Sequence, residues 1–226
     1  MTAVVTGANR GIGLGLVRAL VGRGTDVIAA TRDPDRATEL AAIAGVRIVG
    51  CDVSDGDSVR GLAEAIGAAP IELLINNAGV YGGDQQTVRG VDFADAMRTF
   101  EINALGPLRV TLALLANLRR AGTLAKVVHV TSGMGSIGDN GSGGFYAYRM
   151  SKAALNMAAK SLAIDLRRDD IVSVVINPGW VQTDMGGPSA TVSVDDSVAG
   201  MLREIDALTL ADTGTFRNWR GGQYAW

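Results

Sequence analysis

The sequence predicts an α/β fold: a doubly wound, mostly parallel sheet of seven strands with helices on both faces, in a single domain spanning 1–226. Three features carry this expectation. Short β-branched apolar runs recur along the chain, and the segments between them return their apolar residues every three and four positions. The runs are also nearly continuous in apolar residues rather than alternating, as in strands covered on both faces. With 226 residues, 47% of them hydrophobic, the chain can fill one such domain, and a second would have to be small.

The expected strands, in order, are "AVVTG", "DVIAATR", "VRIVGCDV", "IELLINNAG", "AKVVHVTS" and "IVSVVINPG", with a short seventh at Gly214 to Asn218 in the tail. Right-handed crossovers place their carboxyl ends along one edge, where ligands bind at the point where the strand order reverses. Two glycine-rich or irregular loops follow strand ends and border that edge: Ser132 to Gly144, and the substrate loop Thr183 to Ser193. No internal repeat, low-complexity tract or dividing linker interrupts the pattern.

Charge excludes several function classes. Lys and Arg number 21 against 23 Asp and Glu, a net charge of -2 with no long block of either sign, so neither nucleic acid nor a membrane surface is expected as partner. The most apolar helical region, "LRVTLALLANLRR", is broken by arginines and falls short of the roughly 20 residues a bilayer requires. Cys51 is the only cysteine, so no intrachain disulfide forms; the N-terminus enters a strand directly, and a cytoplasmic protein is expected. No metal site is expected.

The first strand runs into "TGANRGIGLGLVRAL", a glycine turn that opens an amphipathic helix. Gly7, Gly11 and Gly13 allow a sharp turn and close approach of a ligand, while the helix N-terminus offers free N–H groups to a pyrophosphate. The spacing, G-x-x-x-G-x-G, differs from the G-x-G-x-x-G of the common dinucleotide fingerprint. A glycine turn needed only for helix–strand packing is the competing reading.

Further along, "CDV" at Cys51 to Val53, "NNAG" at Asn76 to Gly79, "IN" at Ile102 and Asn103, "TS" at Thr131 and Ser132, Y-x-x-x-K at Tyr148 to Lys152 and "PGWVQT" at Pro178 to Thr183 each follow or flank a strand end. Together with "TGANRGIG" they resemble, in order and position, the short-chain dehydrogenases/reductases, whose fold is of the Rossmann type. The tail and the "GMGSI" loop look most like the subgroup of bacterial C-factor-type proteins and sniffer carbonyl reductases. The resemblance implies that Gly7, Asn9, Arg10, Gly11, Ile12 and Gly13 cradle a dinucleotide. It also implies that Asp52 and Val53 hold the adenine, that Asn77, Ala78 and Gly79 line the adenosine side, and that Val181 and Thr183 hold the nicotinamide carboxamide, on a cofactor-binding turn shaped by Pro178 and Gly179.

Charge argues for NADP(H) over NAD(H). An acidic side chain ending the second strand would accept from the ribose 2′-OH and repel a 2′-phosphate. Thr31 stands at that place, followed by Arg32, and Arg10 offers a second guanidinium, which binds phosphate through paired hydrogen bonds. The competing reading makes Arg32 a solvated loop cation paired with Asp33 or Asp35.

The stretch "GFYAYRMSK" carries two tyrosines. On a helix starting near Tyr146, residues four apart share a face and residues six apart are rotated by roughly 240°. Tyr148 therefore faces Lys152, and Tyr146 does not. A nearby ammonium is expected to favour the phenolate and lower the tyrosine pKa. By resemblance, Tyr148 gives a proton to a carbonyl oxygen, Ser132 hydrogen-bonds the same oxygen, Lys152 also binds the nicotinamide ribose, and Asn103 supports a water that links the lysine to solvent. Ser136 is the nearest rival to Ser132. His129, mid-strand, reads as a satisfied core histidine, and Cys51 as a small buried residue.

Met134, Tyr146, Trp180 and Met185 are expected to wall the substrate pocket. The helix carrying Tyr148 has small and apolar residues suited to a second subunit, so a homodimer or homotetramer is expected. The resemblance implies an NADPH-dependent reductase turning a ketone or aldehyde into an alcohol, with Tyr148 as general acid/base. The alternative is a cofactor-binding signalling or sensor protein with little turnover. An epimerase or dehydratase would need a larger substrate domain after the sheet.

Overall fold

In the computed structural model, which describes residues 1–226, the expected runs become strands β1 (Thr2–Thr6), β2 (Asp26–Thr31), β3 (Val46–Gly50) and β4 (Leu73–Asn76). A small hairpin, β5 (Gln86–Thr87) and β6 (Gly90–Val91), intervenes before β7 (Ala125–Val130), β8 (Ile171–Asn177) and β9 (Phe216–Asn218). Seven of these pair in the order β3-β2-β1-β4-β7-β8-β9. Every pairing is parallel, so the sheet is wholly rather than mostly parallel.

The helices are α1 (Gly11–Gly22), α2 (Thr38–Ala41), α3 (Gly56–Ile66), α4 (Phe93–Phe100), α5 (Gly106–Ala113), α6 (Leu115–Arg119), α7 (Tyr146–Asp165) and α8 (Val194–Ala207). Strand side chains alternate between two apolar layers. Ala3, Val5, Val27, Ala29, Val128 and Val174 join Leu16, Val17 and Leu20 of α1 and Met201 and Ile205 of α8. Val4, Ile28, Leu74, Val127 and Ile171 join Val59 and Leu62 of α3 and Val110 of α5. Both faces of the strands are thus covered, which is why their apolar residues do not alternate with polar ones.

The chain moves outward from β1 to β3 and returns to β4 on the other side, so the strand order reverses between β1 and β4. No helix is long and apolar enough to cross a membrane. Cys51 is buried, as expected. His129 is also buried but only half satisfied: Nδ1 lies 3.3 Å from Asn76 Nδ2, and Nε2 has no partner. Burial first, and the charge of Lys152 second, push its pKa down to about 3, which keeps the ring neutral.

Candidate active site

The glycine turn is locked to the end of β4. Thr6 Oγ1 accepts from the backbone N–H groups of Asn77 (3.0 Å) and Ala78 (3.1 Å), and Asn77 Nδ2 donates to the carbonyls of Thr6 and Gly7. Gly7 takes a left-handed φ of 63°, and a Cβ there would lie 2.8 Å from Ala78 Cα. A Cβ on Gly13 would collide with the Gly7 carbonyl oxygen, which is backbone and has nowhere to move. Gly13→Ala is therefore expected to destabilise the fold by about 1–3 kcal/mol, read as a lower Tm in thermal unfolding; an unchanged Tm would contradict this packing.

Arg10, at the N-cap of α1, is extended and supplies no side-chain cap, so the first-turn amides lack a side-chain acceptor. Those amides border a cleft of about 750 Å³ that runs along the strand ends. Its lining includes Gly7, Asn9, Arg10, Gly11, Ile12, Gly13, Arg32, Asp52, Val53, Asn77, Ala78 and Gly79, together with Tyr148, Lys152, Pro178 and Thr183; Gly11 lies against Thr183, and Gly79 against Lys152. Gly179 and Val181 stand outside it: Gly179 abuts the Trp219 ring, and Val181 is buried in a bridge to Val192.

The cleft is richer in cations than the sequence suggests, because Arg36 lines it as well. Arg36 pairs with Asp33 at 3.2 Å and Arg10 with Asp184 at 2.6 Å, while Arg32 makes no ion pair. The Arg10–Asp184 pair is well exposed, so it is a weak competitor for Arg10. Burial tends to raise the Asp52 pKa, but hydrogen bonds from Ser54 together with Arg32 and Arg98 hold it below the usual carboxylate range.

Ser132, just past the end of β7, has its hydroxyl oxygen accepting from Met134 N at 3.1 Å and stands close enough to the Tyr148 phenol to oppose the rise in its pKa. Lys152, one turn further along α7, donates to Val130 O at 2.9 Å, with its Nζ 5.8 Å from the Tyr148 ring centroid. The sequence reading expected the ammonium to lower the tyrosine pKa, and the structure corrects this. Burial pushes the Tyr148 phenol up to about 12, with Ser132 opposing and Tyr81 adding to the shift, and burial also pushes Lys152 down to about 8. Desolvation outweighs the attraction of a lysine that is itself buried and turned to a carbonyl.

Asn103 occupies a π-helical turn, Glu101–Leu105, between α4 and α5; such turns are frequent at functional sites. Its Oδ1 accepts from Val80 N and its Nδ2 donates to Val80 O, both at 2.8 Å, and Nδ2 also donates to Ser151 Oγ. Ser136 is committed elsewhere: its hydroxyl donates to Ala225 O in the C-terminal tail and accepts from Asp139 N.

The sequence profile of the family described as short chain dehydrogenase matches residues 1–192. The chain belongs to that family. As a short-chain dehydrogenase it is 54% identical over 173 residues to the C-signal of Myxococcus xanthus, covering 74% of this chain and all of that protein. It is 38% identical over 232 residues to the 1-hydroxy-2-glutathionyl-2-methyl-3-butene dehydrogenase of Rhodococcus sp. strain AD45, covering 100% of this chain and 99% of that one. Among solved structures, the NADPH-bound carbonyl reductase from chicken fatty liver superposes with a TM-score of 0.93 at 37% identity, covering 100% and 98% of the two chains. The carbonyl reductase Sniffer of D. melanogaster has the same TM-score at 32% identity, covering 100% and 99%.

Of the walls expected for a substrate, Met185 of this short-chain dehydrogenase lines the cleft, whereas Met134, Tyr146 and Trp180 do not. Tyr146, first in α7, is 39% exposed, and Trp180 points its Nε1 at Gly186 O. The aromatic ring that does lie against Tyr148 is Tyr81, with centroids 4.9 Å apart. Sequence reasoning passed over it because "VYGGDQQT" carries no periodic signal and folds over Tyr148 only through long-range contacts.

Proposed function

We propose that this protein is an NADP(H)-dependent oxidoreductase that reduces a ketone or aldehyde to an alcohol, with Tyr148 as proton donor. One observation carries this reading: a single cleft holds both an uncapped, glycine-cradled helix end and the Tyr148 and Lys152 side chains, with Ser132 beside the phenol. The residues fit the cofactor. Gly7 and Gly13 let the turn close tightly against Ala78 and Asn77, the α1 amides face the cleft, and Arg10, Arg32 and Arg36 line it and would supply cations to a 2′-phosphate. When bound, a reduced nicotinamide would supply the hydride. The chain itself supplies the proton from Tyr148, a hydroxyl from Ser132 to orient the carbonyl oxygen, and a cation at Lys152.

The test is to follow NADPH and NADH absorbance over a panel of ketones, aldehydes and alcohols. Arg32→Asp is expected to lower the preference for NADPH over NADH by about 10- to 100-fold, the value of one charge-assisted contact. A wild-type preference for NADH, or a preference untouched by Arg32→Asp, would sink the choice of cofactor.

A second reading, a cofactor-binding signalling protein with little turnover, is favoured by the 54% identity to C-signal. Nucleotide binding without turnover on any member of the panel would select it. Exposed Met150, Met157 and Ile164 recur every seven residues along α7, and Phe93, Met97 and Leu112 are exposed on α4 and α5. Such apolar faces support a homodimer or homotetramer.

A further inference from the structure

Tyr148 is the third residue of α7, within the first turn, whose amides have no partner inside the helix. The usual remedy is a side-chain oxygen on the N-cap residue. Here the N-cap is Phe145, held in the left-handed region at φ 50° and offering no acceptor. The missing cap comes from 62 positions away: Gln86 Oε1 accepts from Tyr148 N at 2.9 Å.

Gln86 is 3% exposed and its amide is fully engaged, with Nε2 donating to Tyr81 O at 3.0 Å and to Gly83 O at 2.8 Å. The carbonyl side of Tyr148 is held as well, since Ser151 Oγ donates to Tyr148 O at 2.8 Å and accepts from Asn103 Nδ2. Asn103 is in turn paired with Val80 on both its N–H and its C=O. Both backbone groups of Tyr148 are thus tied to one excursion, Val80 to Gln86, while Tyr81 in that excursion packs on the Tyr148 ring.

The geometry points to Gln86 as a positioning residue for the reaction at Tyr148: its carboxamide replaces the absent helix cap and fixes the phenol relative to the cleft wall at Gly79 and Val80. This rests on the reading of Tyr148 as the proton donor. A cap acting only on helix stability would lower Tm and leave the fully folded enzyme equally fast. A positioning role instead appears in kcat, because displacing a reacting group by about 1 Å costs up to about 10²-fold.

The experiment compares wild type, Gln86→Met, Tyr148→Phe and the double variant, with benzaldehyde as probe and NADPH affinity measured by fluorescence titration. Gln86→Met is expected to lower kcat by about 10- to 100-fold, with the benzaldehyde KM and the NADPH Kd within about threefold of wild type. In the Tyr148→Phe background the same change is expected to have no further effect on the residual rate, since coupled residues are non-additive. Gln86→Asn, which keeps the amide and shortens its reach, is expected to show the same loss in kcat and serves if the Met variant fails to fold.

A folded Gln86→Met or Gln86→Asn enzyme with wild-type kcat overturns the inference, as does equal slowing in the Tyr148→Phe background. If Tyr148→Phe itself keeps the wild-type rate, the proposed function fails first, and the positioning role falls with it.

Discussion

Tyr148→Phe is expected to lower carbonyl reduction by about 10³-fold, the scale of a lost general acid, while NADPH still binds with a Kd within about threefold of wild type. The phenyl ring keeps the packing against Tyr81, and the change deletes the hydroxyl that would give the proton. With the phenol pushed up to about 12, Tyr148 carries its proton throughout the physiological range and is ready to donate it to a carbonyl oxygen. Rapid-quench or steady-state rates with benzaldehyde and NADPH test this. A Phe enzyme retaining more than about a tenth of the wild-type rate would remove Tyr148 from the chemistry.

Much of the site was legible because its signals are local. A glycine turn between strand and helix announces itself within eight residues, and Tyr148 and Lys152 share a helix face by spacing alone. Burial was not legible in the same way. The four-residue spacing placed an ammonium near a phenol, but which effect wins depends on how much water each loses, and that is set by β7, α7 and the excursion after β4 together. Hence the direction of the Tyr148 shift came out opposite to expectation.

Contacts between distant segments were equally hidden. The Gln86–Tyr148 bond spans 62 positions, and the Ser136–Ala225 bond, which commits the rival serine to the C-terminal tail, spans 89. The π-helical turn at Asn103 leaves no mark either, because "EINAL" reads as ordinary helix. Arg32 was legible as a cation but not as an unpaired one. Only the fold shows that Arg36, and not Arg32, takes Asp33.

Lys152→Met is expected to lower kcat/KM by about 10²- to 10³-fold, the scale of losing one aligned charged donor, and at the same time to raise thermal stability. Lys152 is 4% exposed, and its ammonium bonds only Val130 O, so the fold holds a poorly solvated charge. Burial has moved its pKa from 10.5 down to about 8. Below about pH 8 both folded and unfolded chains carry the proton, and the folded state bears the full cost of the buried charge. Between about 8 and 10.5 the unfolded chain binds more protons, so this group makes wild-type stability rise with pH. The Met variant is therefore expected to melt at least about 2 °C above wild type at pH 7, an advantage that shrinks as pH rises toward 10.5. Reduction by the wild type should decline as pH rises through about 8, where Lys152 of the folded enzyme loses its charge. Scanning calorimetry at pH 7 and pH 9.5, beside a pH–rate profile, reads both effects. A Met variant less stable at pH 7, or one whose advantage grows with pH, would mean that the ammonium is held by more than the Val130 carbonyl and that its burial is not what sets the working range of the site.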